Sequence, residues 1–152
     1  VQPTMADMEL ALRRADSGGM ISYSPGSDSF DIVDESKLNP AQLNALSSMK
    51  DKLAQSGGTG VAELLSNVLF NALDHVVVYP VADENAWKDS EGRILPDAFV
   101  VPNGIEAKAL AYKVHSDLGD GFIKAVDGRS RRVVGADHEC NDSDVIKIHA
   151  KS

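Results

Sequence analysis

The sequence has a single cysteine, Cys140, so no disulfide can form within the chain. An unpaired cysteine is typical of a reducing compartment, and we therefore expect a cytoplasmic protein with no disulfide partner. Aromatic residues are also scarce, at 5% of 152 residues against 43% for apolar residues. A hydrophobic core must then consist mainly of Ala, Leu and Val, and the length allows one medium domain or two small ones.

Long apolar runs are absent. A membrane span needs roughly 18 to 20 apolar residues, whereas the longest candidate, residues 75–81, has the length of a strand. The N-terminus has no basic segment followed by an apolar one, so no secretory signal is visible and no membrane partner is expected. The chain begins with Val-Gln-Pro, which we interpret as a cut inside a longer polypeptide.

Motifs for nucleotide hydrolysis are absent as well. The sequence has no G-x-x-x-x-G-K-[ST] loop, and Gly57-Gly58-Thr59-Gly60 lacks a lysine that could reach a phosphate. It also has no Asn-Lys-x-Asp, the motif that recognises guanine. We therefore predict no catalytic residue and no bound cofactor in this chain, and no nucleotide hydrolysis by it alone.

The charge is negative and unevenly distributed. The formal net charge is -8, yet residues 104–135 carry 6 basic and 4 acidic side chains. An acidic chain disfavours broad, non-specific binding of nucleic acid, whereas a local basic segment allows a focused RNA contact. The densest basic cluster is Arg129, Arg131 and Arg132, with Lys124 close in sequence. The cluster contacts RNA phosphates under one interpretation and is a solvated hairpin tip under the other.

The first half of the chain reads as helices. Thr4 is placed to cap a helix that ends before Gly18, with Asp7 in a capping-box position. Asn39 starts the second helix, with Pro40 at its first position and Gln42 placed to return the cap. The stretch between these helices, residues 20–33, is predicted to be a loop with one weak strand.

A third helix is predicted from Thr59. Its apolar residues recur at helical spacing and form one full stripe: Val61, Leu64, Leu65, Val68, Leu69, Ala72 and Leu73.

The period changes after residue 75. Short β-branched runs predict five strands, at residues 76–81, 98–101, 122–126, 132–134 and 145–148. An amphipathic run predicts one helix, at residues 107–114. The order ββαβββ, with one helix to cover one sheet, is that of a ubiquitin-like β-grasp. We therefore predict an α+β chain with a helical region at residues 1–75 and a β-grasp domain at residues 76–152.

Two segments of the second half carry a specific resemblance. LPDAFVVP at residues 95–102 and LAYKVHSDLGDGF at residues 110–122 resemble a TGS domain, the module shared by threonyl-tRNA synthetases, Obg-family GTPases and stringent-response nucleotide synthetases. The likeness continues through residues 125–127, 134–139 and 142–146. PTMADMELALRRA at residues 3–15 resembles the end of the G domain in archaeal Obg-like GTPases, in the branch that includes the YchF-type proteins.

The resemblance implies a function. Thr4, Met5 and Ala6 occupy the fifth G motif, which packs near the guanine base, although Met5 replaces the usual Ser or Cys. The full-length protein is then expected to be a GTPase that uses GTP and Mg²⁺, and this chain its non-catalytic C-terminal portion. Expected partners are its own G domain and the ribosome, rRNA or tRNA.

The residues expected to contact RNA are Lys124, Arg129, Arg131, Arg132 and Tyr112. The alternative function is a module that packs on the G domain and reports its nucleotide state without any nucleic acid. A third hypothesis is a TGS pocket for a small ligand such as a guanine nucleotide.

Several residue groups allow a second interpretation. His115-Ser116-Asp117 contains the residue types of a hydrolase triad, but adjacent residues rarely converge in space, so a helix end near Gly119 is favoured. His138, Cys140 and His149 could bind a metal, although their spacing matches no common zinc pattern and a buried thiol is favoured.

The remaining aromatic and acidic residues leave alternatives open. Phe122 is expected in the core, whereas Tyr112 could belong to the core or to an RNA site. Trp87 could anchor the polar segment 83–97 to the helical half or contact a partner. The acidic residues of that segment favour a solvated loop over a cation site. The TGS-like helix lacks its usual capping box at Glu106 and Ala109, which predicts a frayed start.

Overall fold

The structure is a computed structural model that describes residues 3–95 and 97–151, so Pro96 of the TGS-like segment lies outside the described residues. The chain divides into two compact units, Val1–Val68 and Leu69–Ser152. Helices dominate the first unit and a sheet the second, which confirms the α+β class. No helix of residues 3–95 and 97–151 is long and apolar enough to cross a membrane.

The first unit combines helices with one short hairpin. Its elements are α1 (Ala6–Ser17), β1 (Ile21–Ser22), β2 (Asp31–Ile32), a 3-10 turn (Glu35–Lys37), α2 (Pro40–Ser56) and α3 (Val61–Ser66), followed by a π-helical turn (Asn67–Ala72). The hairpin pairs Ile21 with Ile32. The sequence predicted one weak strand here, because a two-residue strand such as β1 is too short to show a period.

One hydrophobic core holds this unit together. Its buried residues come from α1, from α2 and from the hairpin region: Leu12, Ile21, Tyr23, Phe30, Leu46 and Leu53. Tyr23 and Phe30 supply the only buried aromatic rings of this cluster, and the remainder is aliphatic, as the composition predicted.

The two long helices begin in different ways. The capping box of α2 is confirmed: Asn39 accepts from the backbone N–H of Gln42, and the Gln42 side chain accepts from the N–H of Asn39, each at 2.9 Å. The predicted Thr4 cap is wrong. Helix α1 begins at Ala6, and Met5 occupies the N-cap without a side-chain hydrogen bond. The helix starts there because the backbone N–H of Met5 donates to the carbonyl of Thr59 at 2.8 Å, which holds Met5 outside the helix.

The predicted third helix is shorter than its pattern. Helix α3 has six residues and passes into the π-helical turn. A π-turn places more residues in each turn than an α-helix, so side chains spaced for an α-helix no longer share one face. Leu64, Leu65, Val68 and Leu73 are exposed. The expectation of one buried stripe along this segment is therefore wrong.

The second unit is a five-stranded sheet covered by helices. Its elements are β3 (His75–Val81), β4 (Phe99–Pro102), α4 (Ala107–Val114), α5 (Ser116–Asp120), β5 (Phe122–Asp127), β6 (Arg132–Val134) and β7 (Asp144–Ala150). The strand order is β4-β3-β7-β5-β6, and β3 and β7 are parallel while the other pairs are antiparallel. Parallel first and last strands at the centre, with α4 across one face, confirm the predicted β-grasp.

The core of this unit lies between α4 and the sheet. Its buried members are Val76, Val78, Val101, Ala107, Leu110, Ala125, Cys140 and Ile146. Phe122 packs against this cluster, which confirms its predicted core position. Cys140 is also buried, as expected, and burial raises the pKa of its thiol to about 12.

Helix α4 begins in order despite the lost capping box. The backbone N–H of Ala107 donates to the carbonyl of His138 at 2.8 Å, and that of Lys108 donates to the carbonyl of Ala136 at 3.1 Å. A loop distant in sequence thus satisfies the first amides, which a helix otherwise leaves unpaired. The predicted fraying is therefore wrong.

The loop of residues 57–60 makes a close approach that only glycine permits. Gly60 has a φ of 75°, and a Cβ built on it would lie 2.2 Å from the carbonyl oxygen of Pro3. Gly57 has a similar φ of 73°, yet a Cβ there would meet no atom within 4 Å. These two glycines share the same backbone conformation and differ only in their surroundings.

We expect Gly60→Ala to destabilise the first unit much more than Gly57→Ala. The left-handed backbone alone costs an alanine about 1–2 kcal/mol, which sets the effect at Gly57. The Gly60 variant must also displace residues 3–5, which raises the loss to roughly 3 kcal/mol or more. Urea unfolding followed by helical circular dichroism measures both; equal losses would contradict the close approach.

Candidate functional site

A buried carboxylate organises the segment that carries the predicted fifth G motif. Glu9 of α1 accepts hydrogen bonds from the hydroxyls of Thr59 at 2.6 Å and Tyr23 at 2.8 Å, and from Nε of Arg13 at 2.9 Å. Thr59 is 1% exposed and Glu9 8%. A buried charge is tolerated when it is paired and fully bonded, so this carboxylate is a fixed structural element.

The bonds around Glu9 determine its charge. Burial by itself raises the pKa of Glu9, but the hydrogen bonds from Thr59, Arg13 and Tyr23 outweigh it and lower the pKa below its ordinary value. Burial and the neighbouring Glu9 carboxylate raise the pKa of Tyr23. At neutral pH the group is therefore an ionised carboxylate facing neutral hydroxyls.

Thr59 connects the Glu9 carboxylate to the residues that are predicted to contact the base. Its side chain binds Glu9 while its carbonyl accepts from the N–H of Met5. Thr4, Met5 and Ala6 line one open depression of about 430 Å³ together with Lys52. Thr4 and Ala6 are exposed and Met5 is half-buried. The structure thus places the three residues together at the start of α1, and their contact with a base stays a prediction.

The basic cluster lies on the hairpin between β5 and β6, as predicted. The carboxylate of Asp127 accepts from the N–H of Arg129 at 2.8 Å and from the hydroxyl of Ser130, while the carbonyl of Asp127 accepts from the N–H of Arg131 at 2.7 Å. Burial raises the pKa of Asp127, but the hydrogen bonds from Ser130 and Arg129 outweigh burial, so the pKa lies below its ordinary value. Arg131 adopts a φ of 60°, which closes the turn.

The four predicted basic residues have different environments. Nε of Arg129 donates to the carbonyl of Ser143 at 2.8 Å, and its guanidinium lies 5.8 Å from the centre of the Trp87 ring. Arg129 is therefore already engaged within the unit. Arg131, Arg132 and Lys124 are exposed, so their charges face solvent.

Tyr112 does not join this cluster. Its hydroxyl donates to Asp120 at 2.9 Å, and its ring fills the space beside Gly119, where a Cβ would lie 2.2 Å from a ring carbon. Helix α4 covers the sheet face that carries Ala125. Lys124 is the preceding residue of the same strand and points to the opposite face. The structure thus gives Tyr112 a packing role beside Gly119, on the sheet face opposite to Lys124.

Residues 82–95, named here the strap, lie against the hairpin. The indole N–H of Trp87 donates to the carbonyl of Gly128 at 3.3 Å, and Glu84 forms an ion pair with Lys147 of β7 at 2.9 Å. Trp87 therefore anchors the strap to its own unit, which replaces the expected anchor on the helical half. A Cβ on Gly128 would lie 3.2 Å from the indole nitrogen, so glycine permits this seating.

Two other acidic residues of the strap, Asp83 and Asp89, bind within the strap. Asp83 accepts from the N–H groups of Asn85 and Ala86, and Asp89 pairs with Arg93 at 2.6 Å. Backbone bonds lower the pKa of Asp83. Among residues 3–95 and 97–151, no group of three His, Cys, Asp or Glu side chains could hold a metal ion. These carboxylates therefore order a solvated loop.

His115 marks a helix junction, as favoured from the sequence. It ends α4 and caps α5, where its Nδ1 accepts from the N–H of Asp117 at 3.2 Å. The predicted helix end lies slightly later in the chain, since Gly119 is within α5 and Gly121 caps it. No nucleophile geometry arises from these neighbours.

The second unit also contains a groove of about 450 Å³. Apolar side chains of the sheet and of both helices line its base: Val81, Phe99, Val114, Leu118 and Ile148. Asp89 and Asp97 line it as well and make it acidic. A polyphosphate would meet these carboxylates, and no Lys or Arg is among the described residues that line the groove.

Comparisons with known proteins agree with this architecture. A family model described as "Obg-like GTPase YGR210-like, G4 motif-containing domain" matches residues 1–83, more than half of the chain, and a TGS domain model matches residues 92–150. The chain belongs to the Obg-like GTPase family. The Obg-like chain nevertheless has no Asn-Lys-x-Asp, although the family description mentions a G4 motif.

Similar proteins are longer than this Obg-like chain. An uncharacterized GTP-binding protein of Methanocaldococcus jannaschii is 48% identical over 97% of this chain and 37% of its own length. One of Schizosaccharomyces pombe is 27% identical over 91% of the chain and 33% of its own length. The crystal structure of a GTP-binding protein from Pyrococcus horikoshii superposes with a TM-score of 0.66 at 37% identity, over 98% of this chain and 37% of that one.

Sequence reasoning missed the Glu9 network. Glu9 precedes the fully buried Leu12 by three residues, so the two share a helix face. An acidic residue on the apolar face of an amphipathic helix was the available signal. Nothing in the sequence indicated its partners Tyr23 and Thr59, which lie 14 and 50 residues away.

We expect the first unit of the Obg-like chain to lose stability in acid through Glu9. Because folding lowers the pKa of Glu9, its contribution is fully present above the ordinary pKa of 4.5 and is lost as pH falls through the lower folded pKa. Glu9→Gln should remove this dependence and cost about 1–3 kcal/mol at neutral pH. Asp7→Asn, an exposed change in the same helix, is the control.

Urea unfolding between pH 3 and 7, followed by helical circular dichroism, measures the effect. Trp87 fluorescence reports the second unit in the same samples, because the sequence contains one tryptophan. An unchanged acid profile in Glu9→Gln would show that the network contributes no pH-dependent stability.

Proposed function

We propose that the chain binds RNA, as tRNA or within the ribosome, through the β5–β6 hairpin of its TGS unit. It acts in the cytoplasm as the non-catalytic part of a GTP-binding protein whose G domain supplies GTP, Mg²⁺ and hydrolysis. The observation that supports this proposal is the pair Arg131 and Arg132, two exposed cations on a turn fixed by Asp127. The names of the relatives support the GTP-binding part.

A fixed turn makes these cations effective. Asp127 orders the backbone, and Arg129 binds the carbonyl of Ser143, so the hairpin loses little conformational freedom on binding. Phosphate contacts by exposed arginines supply affinity and position without reading sequence. Lys124 is exposed on the face of β5 opposite to Ala125, whereas Arg132 pairs with Asp127 and shares the face of Ala125. Lys124 therefore offers a separate phosphate contact. The remaining acidic surface restricts binding to this region.

The first unit carries the residues proposed to meet a nucleotide. Thr4, Met5 and Ala6 are proposed to approach the guanine base bound by a G domain, as the fifth G motif does in the family. The Thr59 carbonyl holds Met5, and Glu9 holds Thr59, so a movement of residues 4–6 strains a buried network. This is the proposed route by which the nucleotide state reaches the chain.

A second candidate function is packing on the G domain alone, without nucleic acid. The exposed apolar side chains Leu64, Leu65 and Val68 of the first unit favour it, since exposed apolar residues suit a protein partner. The groove of the second unit argues against the third hypothesis, a guanine nucleotide in the TGS domain, because carboxylates at the groove repel a polyphosphate.

We expect Arg131→Asn with Arg132→Gln to weaken the binding of bulk tRNA and to flatten its salt dependence. Asparagine suits the left-handed φ at residue 131, so the turn is retained. Loss of two phosphate contacts should reduce the slope of log K against log salt by about 1.4 to 1.8. Fluorescence anisotropy between 25 and 200 mM salt (roughly a threefold change in Debye length) measures it.

The matched control is Lys113→Gln, an exposed cation of α4 outside the hairpin. It removes one charge from the same unit and should leave the slope unchanged. No binding at low salt, or a slope equally affected by the control, would reject RNA binding by the hairpin and favour packing on the G domain.

A further inference from the structure

The hairpin combines its arginines with an aromatic ring. Trp87 of the strap is half-buried, with its indole N–H bonded to the carbonyl of Gly128 at 3.3 Å. The Arg129 guanidinium lies 5.8 Å from the ring centre. Arg131 and Arg132 follow two and three residues later in the same hairpin. The ring and one guanidinium therefore form one small surface, and the exposed cations lie on the same hairpin.

The backbone holds Trp87 in an unfavourable conformation. Its φ is 54°, which is uncommon for a residue with a side chain and a clear outlier for a bulky one. Such strain persists only where surrounding contacts enforce it, and it is concentrated at binding sites and ligand clamps. Here backbone bonds next to the residue enforce it: the carbonyl of Trp87 accepts from the N–H of Leu95 at 2.9 Å, and the carbonyl of Lys88 accepts from the N–H groups of Ala82 and Asp83. The side chain is held separately, by the Gly128 carbonyl and beside the Arg129 guanidinium.

A purely structural anchor does not account for this arrangement. The core of the unit is complete between α4 and the sheet, and Trp87 is not part of it. A strap could be fixed by the Glu84–Lys147 ion pair and by backbone bonds without a strained aromatic residue. The ring instead stays partly open to solvent beside the arginines.

We propose that Trp87 and Arg129 form a stacking platform for one unpaired nucleobase, with Arg131 and Arg132 on the adjoining phosphates. This inference rests on the proposed RNA binding and specifies its substrate as single-stranded or looped RNA. Bases in a duplex are stacked on each other and offer no free face, whereas unpaired bases stack on aromatic rings and on guanidinium planes.

The single tryptophan makes the platform directly observable. Because the sequence contains one Trp, intrinsic fluorescence of the unmodified chain reports on Trp87 alone. The chain is titrated with a mixed-sequence single-stranded RNA of about 12 nucleotides, a length within the range of small single-strand sites. Parallel titrations use a duplex of the same sequence and inorganic polyphosphate, and anisotropy of labelled RNA reports binding independently.

Stacking predicts that the single strand quenches Trp87 emission in proportion to the bound fraction. Polyphosphate and duplex should bind through the arginines with little quenching. Binding of the single strand without quenching, or equal quenching by polyphosphate, would overturn the platform and leave RNA binding intact. Absence of any binding by anisotropy would overturn both proposals.

Two substitutions separate the ring from its structural contacts. Trp87→Phe keeps an aromatic face and should hold the RNA affinity within a few-fold, whereas Trp87→Leu keeps apolar bulk and should lower it by roughly ten- to a hundred-fold. Duplex affinity should not change in either variant. Equal single-strand affinity in both variants, with folding checked by circular dichroism, would contradict stacking. The fluorescence titration decides the question if Trp87→Leu does not fold.

Discussion

The parallel pairing of β3 with β7 is the constraint on which the second unit depends. It brings Tyr79 beside Val145 and Pro80 beside Ile146, so the first and last strands form the centre of the sheet. Parallel neighbours cannot be joined by a tight turn, so the intervening chain must form the outer strands and the covering helix. The start of β7 is fixed further by the N–H of Ser143, which donates to the carbonyl of Val77.

This pairing also positions the candidate RNA surface. Ser143, tied to β3 through its N–H, accepts the side chain of Arg129 through its carbonyl. Lys147 of β7 binds Glu84 of the strap. The hairpin and the strap are therefore both attached to the central strand pair. The arginines of the proposed interface owe their fixed position to strands that carry no functional residue themselves.

In the first unit, one carboxylate has the corresponding role. Glu9 joins α1, the loop before α3 and the segment after β1 through Arg13, Thr59 and Tyr23. The same Thr59 holds Met5. A segment with few apolar residues is thereby fixed by charge-assisted hydrogen bonds, which are stronger than those between neutral groups.

The parts of the fold that sequence predicted are those set by neighbouring residues. The capping box of α2 needs only Asn39 and Gln42, and the strands of the β-grasp show their own β-branched runs. The start of α1 was mispredicted because it depends on Thr59, a residue more than 50 positions away.

The candidate site also combines features that neighbouring residues predict with features that depend on distant residues. The position of the arginines on a hairpin followed from the strands on either side. That Arg129 is engaged by Ser143 and Trp87, while Arg131 and Arg132 are exposed, depends on a strap that carries no regular pattern. Tyr112 was grouped with the arginines because it is aromatic, and only the structure shows that its hydroxyl bonds Asp120 and that its ring packs beside Gly119.

Ultraviolet cross-linking of the whole chain to tRNA and to ribosomes, followed by mapping of the attached peptides, tests the central claim most directly. If the TGS hairpin binds RNA, we expect cross-links within residues 124–132 and at Trp87 of the strap, with residues 40–56 of α2 unlabelled. Cross-links confined to the helical unit, or none in either RNA source, would contradict an RNA-binding role for the TGS hairpin.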